Sequence, residues 1–142
     1  MDLNTLQEEV DKDIKIKSDS LDIESLRIPE IHNKYLKYYN RFQLVLRKTE
    51  TDYKELYKEK WEYYTGKSSD EVYKENPFDF KILKADIPTY LDSDKDLIEL
   101  QHKISYNKTI VTYLEQVLRS INNRTFTIKN AIQWKKFEAG VI

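Results

Sequence analysis

Leu97, Leu100, Ile104, Asn107, Val111, Leu114, Leu118 and Ile121 follow one another in alternating steps of three and four, and all but Asn107 are aliphatic. A seven-residue repeat held for about three and a half heptads marks a helix that packs a narrow apolar seam against other helices. Such a seam is usually completed by a partner. It predicts a chain that works as an assembly.

The rest of the chain agrees with long helices. Only two Gly and three Pro stand against 35% charged residues, which disfavours a turn-rich β fold. A length of 142 residues fits one helical domain spanning 1–142. No apolar run approaches the ~20 residues that a membrane-spanning helix needs, and the acidic N-terminus does not read as a signal peptide. The absence of cysteine excludes disulfides and thiolate metal sites and fits a reducing cytoplasm.

Leu3, Leu6 and Val10 predict a short first helix, with Thr5 and Glu8 able to form a capping box. Ile14 to Lys17 alternates and allows a brief extended piece, and Ser18 to Ser25 reads as a polar connection. Pro29 suits a first helical turn, so a long helix is expected over 28–67, running to Thr65 with Gly66 as its stop. At 1.5 Å per residue that helix would be ~55 Å long. A compact domain of this size has a radius of gyration of ~14 Å. This mismatch again favours oligomerisation.

Ser68 and Glu71 predict a short helix ending before Asn76-Pro77. Phe78, Phe80 and Ile82 alternate with their neighbours and suggest a strand or an extended packing segment, and Pro88 argues against a helix running through this region. Ser93 with Asp96 opens the C-terminal helical region, 93–142. Asn122-Asn123 is expected to end its first helix, and Thr127 to Ala139 to form a last one.

Catalytic and metal signatures fail on their spacing. Gly66-Lys67-Ser68 mimics the end of a phosphate loop, but Trp61 stands where the loop needs glycine. Asp92, Asp94 and Asp96 begin like a calcium loop, yet Leu97 and Lys103 occupy its glycine and glutamate positions. His32 and His102 show no ligand spacing. The expectation is a non-enzyme with no cofactor and no metal.

Charge is more informative than its net value of −1. It runs −5 over 1–26, +4 over 27–67, −4 over 68–118 and +4 over 119–142. Within the first basic stretch, Tyr53 to Lys67 interleaves aromatic rings (Tyr57 and Trp61 among them) with Lys54, Lys58, Lys60 and Lys67. Rings stack on bases and ammonium groups pair with phosphates, so this composition suits single-stranded nucleic acid. The same tyrosines at helical spacing could instead build interfaces. A rival basic site is Arg124, Lys129, Lys135 and Lys136. A helical structural or adaptor oligomer without a DNA role is the competing function.

Leu6-Gln7-Glu8-Glu9, Tyr63-Tyr64-Thr65-Gly66-Lys67, Asp94-Lys95-Asp96-Leu97 and Phe137-Glu138-Ala139-Gly140 occur in an order and at spacings that resemble the UvsY family, the recombination mediators of T-even-like bacteriophages. The resemblance runs nearly end to end. It implies an all-α protein in the host cytoplasm that assembles into a closed ring of about six or seven subunits. It also implies binding to single-stranded DNA, and contacts with a phage RecA-like recombinase and the phage single-stranded DNA-binding protein. By the same resemblance the basic DNA-binding motif falls on Lys58 and Lys60, with Lys60 where an arginine is expected and Glu59 between them. Residues two apart point to different faces of a helix, so these lysines need not share a phosphate. The family's assembly element is its C-terminal region, where Leu97, Leu100, Ile104, Val111, Leu114, Leu118 and Ile121 lie.

Overall fold

A computed structural model describes residues 1–141. The elements are α1 (Leu3–Asp13), α2 (Leu21–Tyr64), α3 (Asp70–Glu75), α4 (Ile87–Asp92) and α5 (Lys95–Glu138), with a 3-10 turn at Lys84–Asp86 before α4. No strand occurs among the described residues, so the architecture is all-α. Neither the Ile14 to Lys17 piece nor the Phe78 to Ile82 segment pairs as a strand; both are irregular. The contacts form two compact units, Met1–Gln43 with the stretch from Thr109 onward, and Leu44–Lys108.

The first unit is built from α1 and parts of α2 and α5. Leu6 and Val10 of α1, Ile31 and Tyr35 of α2, and Ile110, Leu114, Val117 and Ile121 of α5 form its buried core. Burying such aliphatic side chains contributes roughly 1.5–3 kcal/mol each before the entropy of ordering them. On α5 the heptad positions Leu114 and Ile121 are joined by Ile110, Val117 and Ile128, all buried. The buried face is therefore wider than a coiled-coil seam, as a helix in contact with two neighbours requires.

Polar groups lock the same unit. Tyr35 Oη and Lys34 Nζ both donate to Asp13 Oδ2 at 2.7 Å, and Tyr38 Oη donates to Glu9 Oε2 at 3.1 Å. Arg124, 4% exposed, donates to Glu24 Oε2 and to the Ile14 carbonyl, each at 2.8 Å. Three acids of the N-terminal stretch, Glu9, Asp13 and Glu24, are thus paired within the chain, by Lys34, Arg27 and Arg124.

Several helix ends differ from the sequence expectation. Asp2, not Thr5, caps α1, its side chain accepting the Thr5 N–H at 2.8 Å. The second helix starts at Leu21 and contains Pro29 in its interior. A proline there removes one backbone hydrogen bond and costs about 3 kcal/mol. Buried Leu21 and the Glu24–Arg124 pair hold the preceding turns in place against that cost. The last helix crosses Asn122-Asn123 without a break. Asparagine is only a weak helix former, by less than about 1 kcal/mol, and buried Ile121, Arg124 and Ile128 carry the helix past it.

In the second unit Leu46, Leu91, Leu97 and Ile104 are buried. Gly66, at φ 77°, ends α2 as expected. Lys67 N–H bonds the Glu62 carbonyl at 2.8 Å and Gly66 N–H that of Tyr63 at 3.3 Å, the two bonds of a Schellman motif. Ser69, not Ser68, caps α3. Pro88 lies in the first turn of α4, where its missing N–H has no helical partner to lose. Phe78 is packed among Tyr63, Tyr64 and Tyr90, which keeps its segment close without a strand ladder.

Candidate functional site

The segment from Tyr53 to Lys67 lies on the C-terminal part of α2, within the second unit. A helix repeats every 3.6 residues, so its side chains sort by face. Tyr53, Leu56, Lys60, Tyr63 and Tyr64 fall on one face, and all are partly buried. Lys54, Tyr57, Lys58 and Trp61 stand at i, i+3, i+4 and i+7 on another, and all are exposed. Lysines and rings that are adjacent in sequence thus have two different occupations.

The inward lysine is Lys60. Its ammonium lies 2.7 Å from Asp96 Oδ2 and 3.3 Å from Asp94 Oδ2, and its side chain is only 22% exposed. Asp94 is itself buried and receives the Tyr64 hydroxyl at 2.6 Å. Its other oxygen accepts the backbone N–H groups of Asp96 at 3.0 Å and Leu97 at 3.1 Å. Asp94 therefore caps α5, the position expected of Ser93, and Lys60 and Tyr64 tie that cap to α2. Burial works against the charge on Asp94, but the Tyr64 hydroxyl, the Leu97 N–H and the Lys60 ammonium together hold its carboxyl below the usual value of 3.8. Burial likewise opposes the Lys60 charge, and Asp96 and Asp94 outweigh it to raise the ammonium above its usual 10.5. Burial and the bond to Asp94 push the Tyr64 phenol upward.

The outward stripe is different. The Lys58 side chain is 79% exposed and meets Glu62 only at 3.8 Å. Lys54 has no ion-pair partner among the described residues. Tyr57 and Trp61 are 42% and 37% exposed. The Lys67 ammonium sits 4.3 Å from the centre of the Trp61 ring, a cation–π contact that sets a cation beside an open aromatic face. Arg47, seven residues before Lys54 on the same face, is exposed and without an ion pair among the described residues. It was not singled out in the sequence, although the spacing that links Lys54 to Lys58 and Trp61 reaches it. Glu55, Glu59 and Glu62 run along the adjacent row.

Tyr63 and Tyr64 are not part of that stripe. Tyr63 stacks on Tyr73 with centroids 5.5 Å apart, and Tyr64 meets Tyr90 at 5.6 Å. Of the rival basic residues, Arg124 is committed to Glu24, and Lys135 donates to the Ser18 carbonyl. Lys129 and Lys136 are exposed. No group of three or more potential metal ligands occurs among the described residues.

The family model described as recombination, repair and ssDNA binding protein UvsY matches residues 9–141. The chain belongs to the UvsY family. It is 26% identical over 140 residues to the recombination protein uvsY of Enterobacteria phage T4, covering 99% of each chain. Crystal structures of the bacteriophage T4 recombination mediator protein UvsY share the fold. One, lattice type II, matches with a TM-score of 0.85 at 26% identity over 98% of both chains. Another, lattice type IV, matches at 0.83 and 25% identity over 97% of this chain and 99% of that one. No helix among the described residues is long and apolar enough to cross a membrane.

The heptad residues are engaged inside this UvsY-family chain. Val111, Leu114 and Ile121 are buried in the first unit, Leu97 and Ile104 in the second, and Leu100 and Leu118 are half-buried. Large apolar side chains are exposed instead near the end of α5. Phe126, Trp134, Phe137 and Val141 are each 60% exposed or more, with Trp134 and Phe137 stacked 5.5 Å apart.

Proposed function

We propose that this protein is a recombination mediator: it binds single-stranded DNA and helps a RecA-like recombinase load onto DNA covered by single-stranded DNA-binding protein. The observation that carries the reading is the end-to-end likeness to the T4 mediator in sequence and fold. Lys54, Lys58 and Lys67 supply cations and Tyr57 and Trp61 supply open rings, which is the chemistry of a stacking and phosphate track. Lys60 positions the helices that carry the track and does not itself face the DNA. No covalent step is involved; the protein acts by binding, in the cytoplasm of the infected host.

Assembly makes weak sites sufficient. A ring repeats the stripe once per subunit, and linked sites bind a strand far more tightly than any one alone. The exposed apolar end of α5 (Phe126, Trp134 and Phe137) is the proposed neighbour-facing surface, because much of the heptad seam is already covered within the chain. The test is recombinase filament formation at physiological salt on DNA already coated with the single-stranded DNA-binding protein. This protein should shorten the lag and raise the extent of loading. Equal loading without it returns the chain to the reading of a helical adaptor.

A further inference from the structure

From residue 116 to residue 137 the chain contains no Asp or Glu, the longest acid-free interval on α5. Within it Gln116, Arg119, Ser120, Asn123 and Thr127 stand at i, i+3, i+4, i+7 and i+11, one face of the helix. That face lines an open pocket in the first unit, together with Ile14, Ile16 and Arg124. Arg119 is exposed and has no ion-pair partner among the described residues. Arg124 is 4% exposed, and while its two terminal nitrogens are bonded, its Nε is a buried donor without a partner among the described residues. Leaving such a donor unpaired in the wall of the pocket is costly.

We infer that this pocket is an anion subsite that takes a phosphodiester group of single-stranded DNA. The inference rests on the DNA-binding reading above. Glu24 neutralises Arg124, so Arg119 provides the net charge, and Ser120, Asn123 and Gln116 provide uncharged donors around it. No aromatic ring lines the pocket, which makes it a backbone contact without base stacking. A fixed arginine fork with neighbouring hydroxyl and amide donors suits the tetrahedral oxygens of a phosphate.

The test uses the full chain and a fluorescent oligothymidylate, with affinity followed against salt for the wild type, Arg119→Ala, Arg119→Lys and Ser120→Ala. Arg119 and Ser120 are exposed, so folding is unaffected and circular dichroism should be unchanged. Arg119→Ala should weaken binding several-fold and make the salt slope shallower by roughly 0.7 per lost phosphate contact. Arg119→Lys should restore the slope but only part of the affinity, and Ser120→Ala should weaken binding without changing the slope. Wild-type affinity and slope in Arg119→Ala, with the wild type binding normally, overturn the subsite and leave the α2 stripe intact. Failure of the wild type to bind overturns both. An Arg119-dependent affinity for polyglutamate that exceeds that for the oligonucleotide replaces the phosphate by an acidic peptide and also overturns the proposal.

Discussion

Replacing Lys60 by alanine separates the two tasks of the aromatic–basic segment. The change removes contacts at 2.7 Å to Asp96 and 3.3 Å to Asp94 and leaves Asp94, whose side chain is 5% exposed, with Tyr64 and two backbone N–H groups. Removing one partner of a fully buried ion pair costs about 3–5 kcal/mol, whereas an exposed pair contributes about 0–1 kcal/mol. The partly covered Lys60 falls between these limits, at about 1–3 kcal/mol. For a chain of this size that corresponds to a fall in Tm of about 3–10 °C. Lys58→Ala removes only a 3.8 Å contact on an exposed side chain, so its Tm should stay within about 2 °C of wild type. The assay is thermal unfolding by circular dichroism at one fixed protein concentration, since assembly links Tm to concentration. Oligonucleotide affinity is then measured well below every transition. Lys60→Ala should lose stability and keep most of its affinity; Lys58→Ala should do the reverse. Wild-type Tm with lost binding in Lys60→Ala would refute the division of the helix into two faces.

Two further outcomes follow from the same contacts. Asp94, with its carboxyl below 3.8 in the folded state, contributes stability that is present above that value and is lost as pH falls through the folded value. Lys60, raised above 10.5, contributes stability that is complete below 10.5 and is lost as pH rises through its folded value. Asp94→Asn should therefore cost more stability at pH 7 than at pH 3 in denaturant titrations, and equal costs at both would contradict the cap. Trp134→Ala with Phe137→Ala, at the exposed end of α5, should lower the solution mass by light scattering while helicity is kept. Leu114→Asp, in a fully buried position, should instead unfold the first unit, at a cost of several kcal/mol.

The long helices were legible because their apolar periodicity is strong, and Gly66 marked the end of α2 correctly. The starts and continuations were less legible because they depend on distant residues. Pro29 reads as a helix start until Glu24 is known to meet Arg124, one hundred residues away in the chain. Asn122-Asn123 reads as a stop until the burial of Ile121, Arg124 and Ile128 is known. Phe78 to Ile82 alternates like a strand, but its ring packs into an aromatic cluster that no local pattern specifies. The basic and aromatic segment was visible by composition. What spacing alone left open was which of its faces turns inward, and the acids that settle it for Lys60 stand more than thirty residues later.

The most direct test of the account is the salt dependence of single-stranded DNA binding by the double variant Lys54→Ala, Lys58→Ala. Both lysines are exposed on the outward stripe, and neither supports a buried contact. If they neutralise phosphates, the slope of the logarithm of affinity against the logarithm of salt should become shallower by roughly 1.4 per subunit engaged, at about 0.7 for each phosphate. Affinity should fall on every sequence alike, with unchanged Tm and solution mass. Wild-type affinity and slope in that variant would contradict the claim that this face of α2 holds the DNA.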